Sequence, residues 1–151
     1  MSVSVATTFL NSGTWASAIS ISRSITWRAI SESDPINPNS PYGTSKLAAE
    51  LYLALYHRLY GMSTIALRLG NVYGPRQDPH GEAGVVAIFC NRILDGRAMT
   101  TFGTGEQTRD YVFVKDVARA NVAAATRPLP AAARLDARAY NVGTAVETTV
   151  L

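Results

Sequence analysis

The 151-residue sequence predicts an α/β protein built on a largely parallel sheet. Two observations carry that expectation. Strand-like apolar runs alternate with helical ones from residue 31 onward, the order that parallel sheets with crossover helices require. Gly- and Pro-rich stretches separate the runs, so the segments are well punctuated.

Each element has its own warrant. Residues 1–30 hold eleven Ser or Thr and no acidic residue. They keep no sustained period of 2 or 3.6, and "FLNSGTWASAISISRSITWRA" alternates only weakly, enough for a short strand. "SESDPINPNSP" has three prolines and reads as an extended surface loop. Leu47, Leu51, Leu55 and Leu59 recur every fourth residue, predicting an amphipathic helix from about Tyr42 to Tyr60 that Gly61 ends. "STIALRL" reads as a strand and "GNVYGPRQDPHGEAG" as a long loop. "VVAIFCNRIL" is helical and stops at "DG", and "AMTTF" is a short strand before the "GTGEQ" turn. "RDYVFV" alternates as a strand, and Asp116 is the expected N-cap of the helix "VARANVAAA". "LPAAARLDARA" is a surface connection, and "AYNVG" the last strand.

Composition narrows the function classes. Apolar residues make up 47% and charged residues 17%, as in a soluble globular protein with a core. The longest apolar run, "GVVAIFC", is far too short to cross a bilayer, so no membrane association is expected. The start has no basic region followed by an apolar one, so no secretory leader is expected. Net charge is +3, but twelve Arg and two Lys are scattered without a basic stripe, so nucleic acid is not an expected partner. Cys90 is the single cysteine, in an apolar helical run. It reads as a packing residue in a reducing, cytoplasmic compartment. His57 and His80 stand far apart without metal-ligand spacing, so no metal site is expected and both read as solvated.

The chemistry-bearing stretch is "SPYGTSKLAAE", Ser40 to Glu50. Tyr42 and Lys46 lie four apart on one helix face, so phenol and ammonium can meet. A nearby cation favours the phenolate and lowers the tyrosine pKa from about 10 towards neutrality. That would make Tyr42 a usable general base. Spacing alone favours an ordinary tyrosine and lysine at a helix start, because Tyr-x-x-x-Lys occurs often by chance.

The surrounding residues decide between these. "NPNSPYGTSKLAAE" closely resembles the active-site segment of the extended short-chain dehydrogenase/reductases, the NAD-dependent nucleotide-sugar epimerases and dehydratases. "ALRLGNVYGPRQ", "FGTGEQTRDYVFVKDVARA" and "AYNVGTAVETTV" are similar to later segments of the same family, in the same order. The resemblance covers residues 31–151, which it implies are a partial epimerase/dehydratase domain. Residues 1–30 are left as an atypical Ser/Thr-rich segment. It implies an incomplete Rossmann-like doubly wound sheet with part of a substrate-binding domain.

The resemblance also implies roles for individual residues. By it, Tyr42 takes a proton from a sugar hydroxyl, while Lys46 binds the nicotinamide ribose of NAD. It puts Leu69 near the nicotinamide, so Tyr42, Lys46 and Leu69 form the cofactor side. It sets Asn71 on the sugar or diphosphate; the alternative is a turn residue bonding its own backbone. By the same likeness Val85 touches the nucleotide through its backbone, and Phe102 packs on the uracil unless it is simply core. Arg109 would grip the diphosphate with its planar fork, the competing partner being Asp110 or Asp116. The sequence is most similar to 4-epimerases acting on UDP-glucose/UDP-galactose type substrates through a 4-keto sugar. The alternatives are a 4,6-dehydratase of the same family or a non-catalytic gene fragment.

Two family features have no counterpart in the chain. The Gly-rich turn that cradles a pyrophosphate is absent, and "GTGEQ", with its lone G-x-G, lacks the third glycine. By count Ser17 falls where the family has a catalytic Ser or Thr, but its surroundings differ and it receives no role. A homodimer is expected of the complete enzyme.

Overall fold

The computed structural model describes residues 3–9, 31–80, 84–128 and 138–150. The chain is α/β with parallel sheets, as expected. Strand β1 (Val3–Phe9) is followed by helix α1 (Pro41–Tyr60), β2 (Ser63–Leu69), β3 (Asn71–Tyr73), α2 (Val85–Leu94), β4 (Tyr111–Phe113), α3 (Val114–Thr126) and β5 (Ala139–Val142). The larger sheet has the order β1-β2-β5, and β3 pairs with β4 in a second sheet of two strands; all these pairings are parallel. The weak strand expected within residues 9–29 falls almost wholly outside the described residues, as does most of "LPAAARLDARA".

Strand β2 is the axis of the molecule. It lies between β1 and β5, and every residue from Thr64 to Leu69 is buried. Its alternate side chains serve two layers. Ile65, Leu67 and Leu69 join Val112 of β4 and Val117 and Ala124 of α3 in the hydrophobic core. Thr64 and Arg68 point the other way, to α1: the Thr64 hydroxyl donates to the Leu53 carbonyl at 3.2 Å, and Arg68 pairs with Glu50. Leu69 is 0% exposed, a burial that stabilises by about 1.5–3 kcal/mol.

The start of α1 follows from its residues. Ser40 is extended, its hydroxyl accepts the Gly43 N–H at 3.1 Å, and Pro41 occupies the first turn. At the far end Gly61 adopts φ 65, and its N–H reaches the His57 carbonyl at 2.9 Å. The leucine row does not face the sheet. Leu51 and Leu59 are more than half exposed, whereas Gly43 and Ala54 are the buried residues. A step of four residues overshoots a helical turn by about 40°, so the row winds around the helix. Glu50 and the Leu53 carbonyl bond to β2 instead.

Other expectations are corrected. Residues 98–102 form no strand, because the Arg92 guanidinium takes the Ala98 carbonyl at 2.9 Å and the Thr100 hydroxyl at 2.6 Å. Asp116 is not the cap of α3; the helix begins two residues earlier, and Asp116 sits in its first turn paired with Arg119. β3 forms inside the stretch expected to be loop. Cys90 is exposed, not packed in the core. His57 is half-buried, with Nδ1 2.6 Å from the Met62 carbonyl, while His80 is exposed. At the open side of β5, the Asn141 N–H donates to the Glu32 carboxylate at 2.8 Å.

Candidate active site

Helix α1 runs back against β2, so its first turn projects past the carboxyl end of that strand. The bidentate Glu50–Arg68 pair fixes the alignment, with Arg68 Nε 3.0 Å and Nη2 2.8 Å from the carboxylate. Arg68 immediately precedes Leu69, the last residue of β2. Lys46 and Tyr42 lie one and two turns beyond Glu50, each turn advancing about 5.4 Å. Ligands of open α/β sheets gather at such carboxyl ends.

Tyr42 is 41% exposed, and the Lys46 ammonium lies over its ring, 4.9 Å from the centroid. The contact is a cation–π one that keeps the two groups on the same face of α1. Hydroxyls between them are turned inward to the helix. Thr44 Oγ1 donates to the Ser40 carbonyl at 3.0 Å and Ser45 Oγ to the Tyr42 carbonyl at 2.7 Å. Gly43 is buried, and a Cβ there would stand 3.2 Å from the Pro38 ring, so the loop before α1 closes tightly on the helix start.

A second group gathers where the two sheets meet. Gly70 N–H bonds the Val142 carbonyl at 2.9 Å, and Asn71 N–H bonds the Asp110 carbonyl at 2.7 Å. Leu69, Asn71 and the Arg109–Asp110 pair are thereby brought to one edge, the carboxyl ends of β2 and β5 and the start of β4. Leu69 is wholly buried. Arg109 is half-buried, and its Nη1 donates to the Thr108 carbonyl at 2.8 Å. Neither aspartate considered as its partner holds it: Asp110 accepts from Thr144 and Ala145, and Asp116 pairs with Arg119. Burial pushes the Tyr111 phenol above its ordinary pKa, and the Arg109 charge beside it pulls partway back. Tyr73 packs edge-on against Tyr111, ring centroids 6.5 Å apart, which gives both tyrosines a structural role.

Val85 and Phe102 lie on other segments. Val85 is half-buried at the first position of α2. Phe102 is 82% exposed on the loop before β4, so it is not core. Ser17, which received no role, lies outside the described residues.

Sequence reasoning did not single out Glu50 and Arg68, and weighed Asp110 only as a partner of Arg109. The first two left a signal: a charged residue inside the apolar run "STIALRL" needs a partner, and Glu50 follows Lys46 by four on the same helix face. Among the described residues, no group of three His, Cys, Asp or Glu could hold a metal ion, and no helix is long and apolar enough to cross a membrane.

A family model described as NAD dependent epimerase/dehydratase family matches residues 6–143. A UDP-glucose 4-epimerase of Mycolicibacterium smegmatis is 52% identical over 119 residues, which are 79% of this chain and 36% of that protein. The crystal structure of a Thermus thermophilus UDP-glucose 4-epimerase in complex with NAD superposes with a TM-score of 0.75 at 41% identity, covering 99% of this chain and 45% of the other. That of a Thermotoga maritima UDP-glucose 4-epimerase with UDP-glucose gives a TM-score of 0.68 at 49% identity, covering 76% and 35%. dTDP-glucose 4,6-dehydratases match at lower identity. The chain thus spans 36% of the length of the M. smegmatis protein.

Proposed function

The chain belongs to the NAD-dependent epimerase/dehydratase family, and from that premise we propose that it is the proton-transfer and nucleotide-sugar-binding part of a UDP-glucose 4-epimerase. The observation that carries the reading is the Tyr42–Lys46 pair, its ammonium 4.9 Å from the ring centroid, on the helix turn that projects past the end of β2. Identity favours the epimerases over the dehydratases, at 52% for the M. smegmatis epimerase against 39% for a dTDP-glucose 4,6-dehydratase.

Tyr42 is the proposed base, taking the proton of the sugar 4-hydroxyl and returning it after the 4-keto sugar has turned over. Lys46 favours the ionised phenol and offers three donors to a ribose diol, so the pair suits the nicotinamide-ribose end of NAD. Bound NAD would supply the hydride exchange at the sugar carbon. The Leu69 backbone closes that side. Asn71 and Arg109 take the sugar and diphosphate, Arg109 through its planar fork. The Val85 backbone and the exposed Phe102 ring take the nucleotide and its uracil face. The pyrophosphate cradle of NAD has no candidate in residues 31–151, which we assign as the functional segment. A second copy is the proposed partner for the outer face of α1, where Leu51, Tyr52, Tyr56, Leu59 and Tyr60 are all exposed.

Calorimetric titration of the chain with UDP-glucose tests the binding half; an Arg109→Ala variant should lose that binding. Joining the chain to the Gly-rich half of a family enzyme tests the chemistry. Tyr42→Phe should lower 4-epimerisation at least about a hundredfold. Undiminished turnover in Tyr42→Phe would overturn the mechanism.

A further inference from the structure

Asp110 is the most heavily bonded side chain at the meeting of the two sheets. Its Oδ1 accepts the Thr144 N–H at 2.9 Å and the Thr144 hydroxyl at 2.7 Å, and its Oδ2 accepts the Thr144 and Ala145 N–H groups at 3.0 and 2.9 Å. Its main-chain carbonyl accepts the Asn71 N–H at 2.7 Å. Two glycines make room for it. A Cβ at Gly70 would come within 2.9 Å of that carbonyl, and one at Gly143 would run into Oδ2. Ala145 has φ 57, a left-handed conformation that side chains rarely adopt and that surrounding bonds must enforce. Arg109 and Thr148 exchange both backbone hydrogen bonds, at 2.9 and 3.0 Å. Residues 143–148 therefore wrap around the Arg109–Asp110 dipeptide, and the Asp110 carboxylate pins the turn.

We propose that Asp110 is a positioning residue that sets the placement of Arg109 and Asn71 for a nucleotide diphosphate without touching it. The proposal rests on Arg109 and Asn71 being the diphosphate and sugar contacts. A carboxylate next to an anion-binding arginine would ordinarily repel the ligand or pair with the arginine. Here three donors from Thr144 and Ala145, making four hydrogen bonds, hold the carboxylate on the turn, leaving the Arg109 fork for phosphate. Asparagine at 110 would keep the shape but set an amide N–H₂ against backbone N–H donors.

The test is calorimetric titration of the 151-residue chain with UDP and, separately, UMP. The wild type should prefer UDP because its second phosphate meets Arg109. Asp110→Asn should lower UDP affinity at least about tenfold with UMP affinity little changed, collapsing the preference as Arg109→Ala does. Thr144→Val, which removes only the hydroxyl donor, should give a smaller loss of preference, and Thr144→Ser should restore it. Asp110→Asn binding UDP like the wild type while Arg109→Ala has lost it would overturn the positioning role alone. Parallel loss of UDP and UMP affinity in Asp110→Asn would assign a general structural role instead. If Asp110→Asn does not fold, the Thr144 pair decides: a preference unchanged in Thr144→Val overturns the proposal. A wild type that does not prefer UDP, or an Arg109→Ala variant that keeps the preference, overturns the reading of Arg109 and the positioning role with it.

Discussion

Tyr111 shows how one side chain reports on its surroundings. Burial holds its phenol above the ordinary pKa, and the Arg109 charge opposes this. The folded protein thus retains the phenolic proton more tightly than the unfolded chain, whose tyrosines ionise near pH 10. The associated stability is present below about pH 10 and is lost as pH rises through the higher folded value. Chemical denaturation followed across alkaline pH should show that loss, and Tyr111→Phe should reduce it. Arg109→Ala should move the Tyr111 transition further up in an ultraviolet phenolate titration. Gly143 offers a second check, because an added Cβ has nowhere to go against Asp110. Gly143→Ala should cost about 1–3 kcal/mol in a urea melt, the range for overpacking. At this scale Tyr42 and Lys46 were legible because four residues of helix bring them together. The Asp110–Thr144 contact was not, because it joins residues 34 apart whose meeting depends on the finished sheet.

A buried ion pair joins α1 to β2. The side chains of Arg68 and Glu50 are only 5% and 11% exposed, so removing one charge strands the other. Arg68→Met alone should destabilise by about 3–5 kcal/mol, whereas Glu50→Met/Arg68→Met together should recover most of that loss, both read by thermal melting. Elements with strong local signals were legible in the sequence: the bounds of β2 and α2 match "STIALRL" and "VVAIFCNRIL", and α1 begins one residue before expectation and ends at Gly61. β3 was not legible, since three residues between glycines form a strand only because β4 lies alongside. The face that α1 turns to the sheet was not legible for a related reason. Which side of a helix meets the sheet was settled by Arg68, a residue of the strand, and not by the leucines of the helix.

Across the whole molecule, β2 is covered by α1 on one face and by α3 and β4 on the other, a complete local core inside a chain that spans 36% of its M. smegmatis relative. Among the described residues nothing gives the outer face of α1 such cover, and Tyr56 and Tyr60 lie against each other there, 5.4 Å between ring centroids. If a second copy docks on this face, Tyr52→Glu/Leu59→Glu should shift the sedimentation profile from dimer to monomer without lowering the melting temperature of the monomer. A profile unchanged by the double substitution would place the partner elsewhere. The opposite flank of the sheet ends differently. On β5 the outward Asn141 N–H already has the Glu32 carboxylate as its acceptor. An incoming strand would have to displace a charged side chain from the amide it needs, so the loop before α1 hinders templated growth at this border.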